Sequence, residues 1–369
     1  MVPDESLTMP KKKKVLFWIP YPPGEAPSQR FRFEQYFLAL DQHHIDYKLA
    51  PFLDDHTWRI LYHPGKVVAK AWGILKGFLK RLWQVLAVVP QYDFVFVHRE
   101  AAPLGPPVFE WMAAKIWRKK LIYDFDDAIW LANTSEQNKI AAGLKWHQKV
   151  GSICQWAWKV SCGNRYLCQY AAQFNKQVVH NPTTIDTVHL HNPYLYPQQQ
   201  KQKIVIGWTG THSTMPYLLP LVPVLQRLEE QFDFEFCVIS NQNPELPLKS
   251  FSFRKWSKET EIADLRYFDI GVMPLTDDKW AKGKCGFKAL QYMSLEVPTL
   301  VSPVGVNTEI IEHGVNGYIC SSQEEWETYL RQLLEGSTNS KTLGMVARET
   351  VEARYSVNSN TRTFLSLFD

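Results

Sequence analysis

The sequence has no apolar run long enough to cross a bilayer, which argues against a helical membrane span. No two of its six cysteines stand in C-x-x-C spacing, so neither a zinc site nor a redox dithiol is indicated. The thiols read as reduced and mostly buried, as in a cytosolic protein. The N-terminal stretch MVPDESLTMPKKKKVLFWIP lacks the small-residue cleavage site of a secretory leader. Its apolar run is brief and interrupted by Pro20 and Pro22, so it reads as a first strand. The net charge of +4 is too mild to call for nucleic acid. What the chain has in plenty is aromatic side chains. Fourteen are tryptophan, which suits stacking surfaces, interfacial anchoring or large cores.

A chain of 369 residues predicts two or three domains. Short runs of Val, Ile and aromatics without polar alternation recur at Val15–Ile19, Phe94–His98, Leu121–Tyr123 and Val160–Cys162. They return at Ile204–Trp208, Phe234–Ile239, Ile270–Met273 and Pro298–Val301. Such runs predict strands buried on both faces of parallel α/β sheets. Helical spacing predicts helices over Gln29–Leu40, Met215–Gln231, Glu259–Tyr267 and Glu324–Leu334. The stretch His180–Lys203, rich in Asn, Pro and Gln, has no periodicity and marks a boundary. The expected organisation is an N-terminal domain over 1–185, a linker over 186–203 and a C-terminal domain over 204–350. A last helix over 351–369 is expected to pack back on the first domain. Both domains are expected to be α/β, Rossmann-like and doubly wound, facing a central cleft.

Residues 66–89 contain no acid. Lys66, Lys70, Lys76, Lys80 and Arg81 alternate there with Trp72, Leu75, Phe78, Leu79, Leu82 and Trp83. This composition fits a helix lying on an anionic membrane surface. It fits equally a domain helix with its apolar face on the sheet, although Gly73 and Gly77 weaken a purely structural helix.

Six loops follow strands and point toward the expected cleft. They carry Gly24, Ser28, Arg30 and Arg32; Arg99 and Glu100; Asp124, Asp126 and Asp127; Gly210, Thr211, His212 and Ser213; Asp277, Asp278 and Lys279; and Gly305, Asn307 and Glu309. The stretch KGKCGFKALQYM, Lys282–Met293, places two glycines and three lysines where a helix begins. Unpaired first-turn N–H groups and the positive dipole end suit an anion there. Together with Gly210–Ser213 it forms what a nucleotide diphosphate needs.

The acids of YDFDDA remain open to several readings: a metal site, a nucleophile, groups that orient hydroxyls, or caps of the following turn. Phosphotransferases of the haloacid dehalogenase type begin with an apolar strand and D-x-D, and Asp277-Asp278 would fit as their second acidic pair. Ala128-Ile129-Trp130 stands where that family has a small hydroxyl residue.

With SQRFRF, YDFDDAIW, HNPTTIDT, IGWTGTHST, FDIGVMPL and KCGFKALQYMSLEVPTLVSPVGVNTEIIEHGVNGY on the page, the chain resembles the family 4 glycosyltransferases of the two-domain GT-B fold, over nearly its whole length. The resemblance implies transfer of a sugar from a nucleotide sugar to a hydroxyl, with retention and no metal or other cofactor. The partners it implies are a nucleotide sugar and a glycan or lipid-linked acceptor, in cell-envelope or exopolysaccharide synthesis. It implies a cytoplasmic protein, and the 66–89 segment adds a peripheral membrane contact. Carried over, Gly210, Thr211, His212, Ser213, Gly286, Phe287 and Lys288 hold the diphosphate. Trp256 and Ser257 lie near the base, Gln291 faces the ribose and Asn307 lies near the donor sugar. Asp126, Lys284 and Glu309 form the implied catalytic set. Arg30, Arg32, Arg99, Asp124 and Asp127 are implied on the acceptor side. The pattern departs where the family carries two glutamates, at Gly283 and Gln291, and where it carries Arg and Lys, at Thr211–Ser213. A non-catalytic nucleotide-sugar binder is therefore the alternative, with Lys284 and Lys288 left to meet the phosphate charge.

Overall fold

The computed structural model describes residues 12–61, 65–131, 146–197 and 199–369. The polar stretch before Lys12, read above as carrying no leader, lies outside the described residues.

Two six-stranded sheets carry the fold, and every strand pairing within them is parallel. The first runs in the order β2-β1-β3-β4-β5-β6. Its strands are β1 (Lys14–Ile19), β2 (Asp46–Pro51), β3 (Phe94–His98), β4 (Lys120–Phe125), β5 (Lys159–Cys162) and β6 (Val178–His180). The second runs β12-β11-β10-β7-β8-β9. It is built from β7 (Ile204–Gly210), β8 (Phe234–Ser240), β9 (Phe251–Lys255), β10 (Ile270–Met273), β11 (Thr299–Val301) and β12 (Tyr318–Ile319). The central strands β1, β3 and β4 are almost wholly buried, as their unbroken apolar runs require.

Two expected helices are broken. Gln29–Leu40 is a helix over Pro27–Arg32, a 3-10 turn at Glu34–Tyr36 and a second helix over Phe37–Gln42. Met215–Gln231 begins as a 3-10 stretch, His212–Leu221, and becomes α-helical only over Val222–Leu228. Pro216 and Pro220 lie inside the 3-10 stretch and remove the donors an α-helix would use. The helix Gln323–Leu334 starts on Ser322, whose side chain accepts from the Glu325 N–H.

The last helix, Val357–Leu365, returns to the first sheet. Phe364, Leu367 and Phe368 are fully buried there in one cluster with Phe17, Phe94 and Phe96. Ile185 pairs with Ser356 in an isolated parallel bridge, so the chain crosses between the two sheets twice, side by side.

Candidate active site

The loop after β10 fixes the site. Asp278 caps a short helix, Lys279–Lys282, and a turn through Gly283–Cys285 leads to Gly286. Gly286 has φ +68°, and a Cβ there would run into Ile310, so both backbone and space require glycine. It opens the helix Phe287–Ser294 with no side-chain cap, leaving first-turn N–H groups available.

This turn docks on the carboxyl ends of β4 and β5. The Asn164 Nδ2 group donates to Lys282 O at 3.2 Å and Lys284 O at 2.9 Å. The Cys285 thiol donates to Asp126 O at 3.1 Å. A Cβ on Gly283 would come within 2.7 Å of Ala128 Cβ. The two domains meet too closely here for any larger side chain. A glutamate here would have to displace Ala128.

Acids and cations from both domains converge beside it. Arg99, at φ +61°, donates to Asp126 Oδ1 from Nε at 2.9 Å and from Nη2 at 2.7 Å. Its Nη2 also reaches Asp127 Oδ2 at 2.6 Å. Lys284 Nζ donates to Asp127 Oδ1 at 2.8 Å across the domain boundary. Burial would raise the Asp127 carboxyl, but Lys284 and then Arg99 outweigh it and hold it below its usual range.

Lys288 is the exception. No carboxylate among the described residues pairs with it; its ammonium lies 5.4 Å from the centre of the Trp208 ring. Burial, and then Lys284, pull it down to about 7, against the opposing pull of Asp127. The other end of the Trp208 ring lies against Gly210, where a Cβ would meet it. The buried Trp208 ring thus links the Gly210–Ser213 loop to Lys288. In that loop Thr211 makes a capping box with Thr214, and the His212 N–H donates to Asn241 Oδ1 at 2.9 Å.

The other expected residues have these surroundings. Arg32 and Asp124 are sealed in the core, where they pair with each other. Arg32 also donates to Asn181 O, and Asp124 accepts from His98 Nδ1 at 2.8 Å and from Ser161 Oγ at 2.6 Å. Neither side chain is exposed toward an acceptor, and no Asp124 carboxylate oxygen is exposed for a nucleophilic role. Gln291 is 2% exposed and faces inward, with Nε2 3.2 Å from His191 Nε2 and 3.5 Å from Glu261 Oε1. Arg30 is held by Glu261 at 2.8 Å across the domain boundary. Glu309 pairs with Arg165 of the first domain at 3.0 Å. Asn307 is buried, its Nδ2 on Ser302 O at 3.1 Å and its Oδ1 without a partner among the described residues. Trp256 packs on the Ile262–Leu265 cluster, and Ser257 donates to Glu259 at 2.8 Å.

The reading from sequence missed Trp208, Asn164, Glu261 and Tyr217. Asn164 had a signal, since Gly-Asn before a helical stretch marks a cap, and its Oδ1 does accept from the Leu167 N–H at 2.8 Å. Tyr217 lines a cavity of about 290 Å³ with Leu275, Asp277, Ser302 and Trp326. Its hydroxyl is raised by burial and then by Asp278 and Asp127.

The comparisons with known proteins bear on this geometry. Residues 203–336 match the family model of the glycosyl transferases group 1. That span holds Trp208, the Gly210–Ser213 loop and the whole Lys282–Ser294 segment. No curated protein matches the chain. Among solved structures it is similar to a glycosyltransferase from Rickettsia africae, with TM-score 0.68 and 13% identity, covering 97% of this chain and 98% of that one. A sucrose-phosphate synthase from Thermosynechococcus elongatus gives TM-score 0.69 at 13% identity, over 97% and 98%. Anabaena HepE in complex with UDP-glucose gives 0.60 at 16%, over 96% and 99%. These likenesses extend over both domains, and the fold is GT-B.

Proposed function

We propose that the protein is a retaining glycosyltransferase that moves a sugar from a nucleoside-diphosphate sugar to a hydroxyl of a glycan or lipid-linked acceptor. The observation that carries the reading is Lys288. It is a half-buried ammonium with no acidic partner among the described residues, set between the Gly210–Ser213 loop and the start of a helix. A diphosphate there would restore its charge and meet the uncapped N–H groups of the helix. The group 1 family match over this segment supports the same ligand, as does the UDP-glucose held by HepE.

In the proposed reaction the anomeric carbon–oxygen bond to the diphosphate breaks as the acceptor oxygen bonds to the same face. The acceptor proton passes to a phosphate oxygen of the leaving group. Lys284, Lys288 and the loop amides stabilise the charge that grows on the diphosphate. Asp126 and Asp127, fixed by Arg99, lie on the acceptor side and would orient the attacking hydroxyl. Incubation with a panel of labelled nucleoside-diphosphate sugars tests this, since a transferase shows transfer or at least slow donor hydrolysis. Donor binding with neither would favour a binding protein, the reading that the neutral, inward Gln291 supports.

A further inference from the structure

The helix Val67–Trp83 turns its glycines inward and leaves large apolar residues exposed. Its inward stripe is Gly73, Gly77 and Arg81, while Trp72, Leu75, Leu79, Leu82, Trp83 and, just beyond, Leu86 are each between 44% and 58% exposed. At 3.6 residues per turn these six fall in a stripe about 100° wide and about 20 Å long, opposite the glycines. No packing requirement of the domain explains them. The glycines let the helix approach closely: a Cβ on Gly77 would come within 2.6 Å of the Phe52 ring, and one on Gly73 would strike Thr57. Arg81 then clasps the helix down. Its guanidinium donates to Ala101 O at 2.9 Å, Ala50 O at 3.0 Å and Ile19 O at 3.4 Å. The apolar side is left facing water.

The exposed face continues onto the next element. Phe109 meets Phe78 of the helix at 6.2 Å between ring centres. The helical segment 108–116 then exposes Trp111, Ile116 and, one residue on, Trp117. Neither 66–89 nor 111–120 contains an acidic residue. Lys76 pairs with Asp54 at the edge of the face, whereas Lys66, Lys80, Lys115 and Arg118 have no ion pair among the described residues.

We propose that this face docks on an anionic lipid surface. Tryptophan and leucine inserted at headgroup depth, rimmed by lysine and arginine, match such a surface in both polarity and charge. A second copy of the chain fits worse. An isologous contact would set these cations against one another with no acid from either segment to balance them. The placement also has a use. Ile19 O and Ala50 O, which hold Arg81, lie at the carboxyl ends of β1 and β2, the end of the sheet from which Arg99 and Asp126 emerge. A docked chain would thus present its acceptor side near the bilayer, a consequence that rests on the transferase reading; the docking itself does not.

Sedimentation of the full chain with phosphatidylcholine vesicles, with and without about 30 mol% phosphatidylglycerol, is the test. The expected result is binding at least about tenfold stronger to the anionic vesicles, weakening as salt is added. Leu79→Glu with Trp83→Glu should lower it by about tenfold or more, and Lys66→Gln with Lys80→Gln should erase much of the lipid preference. Met345→Glu, an exposed position on the second domain, should change nothing. Circular dichroism and retained nucleoside-diphosphate binding verify that the variants fold. No binding, equal binding to both vesicles, or a dimer in solution that the Leu79/Trp83 double variant dissolves would each overturn the proposal.

Discussion

Lys284 and Asp127 stand 2.8 Å apart as an ion pair that joins the two domains at the mouth of the candidate site. The same lysine is assigned to a diphosphate, so ligand binding and domain contact draw on one charge. Lys284→Ala should weaken binding of UDP or GDP about tenfold to a hundredfold, the worth of one charge-assisted hydrogen bond. Isothermal titration checks this, and an unchanged Kd would remove Lys284 from the phosphate site.

Lys288 predicts a pH dependence. Its pKa is lowered to about 7, and a bound diphosphate would raise it, so binding takes up a proton. Affinity for a nucleoside diphosphate should therefore fall as pH rises above about 7. Lys288→Met should bind weakly with a flat profile over the same range. A wild-type profile equally flat would show that Lys288 does not face the anion.

Asp124→Asn should act on stability and not on substrate binding. It leaves the Arg32 guanidinium buried without its counter-charge, at a cost of about 3–5 kcal/mol. Burial raises the Asp124 carboxyl, but Arg32 and then His98 outweigh it and hold it below its unfolded value. Its contribution is thus present above about pH 4, the unfolded pKa, and is lost as pH falls through the lower folded one. Urea unfolding at pH 7 and pH 3 should show the gap between wild type and variant closing in acid. A variant as stable as wild type at pH 7 would contradict the buried pair.

Restoring the two glutamates of the resembled family should harm this chain. Gly283→Glu drives a side chain into Ala128 and should wedge the domains apart, detectable as a larger radius in small-angle scattering. Gln291→Glu places a carboxyl about 3.5 Å from Glu261 in a buried site. Its destabilisation should be largest at pH 8 and shrink toward pH 5, as the new carboxyl takes a proton. Either variant with raised activity and unchanged stability would argue that the close interface is not what keeps the glutamates out.

The eight strands expected from sequence are the interior ones, and the four not seen there, β2, β6, β9 and β12, are the four sheet edges. An unbroken apolar run signals burial on both faces. An edge strand such as Asp46–Pro51 alternates exposed and half-buried residues over its first four positions and sends no such signal. The acids of YDFDDA show a different limit. Asp124 and Asp126 are two positions apart and equally acidic, yet one is sealed against Arg32 and the other lies at the domain boundary with Arg99. That difference follows from where β4 ends and from residues far along the chain, which local pattern does not contain. The glycine-lysine loop was legible because its demands are local: a positive φ, a helix start and nearby cations.

The return of Val357–Leu365 to the first sheet also fixes an order of events during synthesis. Phe17, Phe94 and Phe96 leave the ribosome early, but Phe364, Leu367 and Phe368, which cover them, are made only after the whole second sheet. Until then the second domain can close on its own strands, while the first keeps an aromatic surface open to water and to chaperones. The domain made first is therefore completed only after the second has been made.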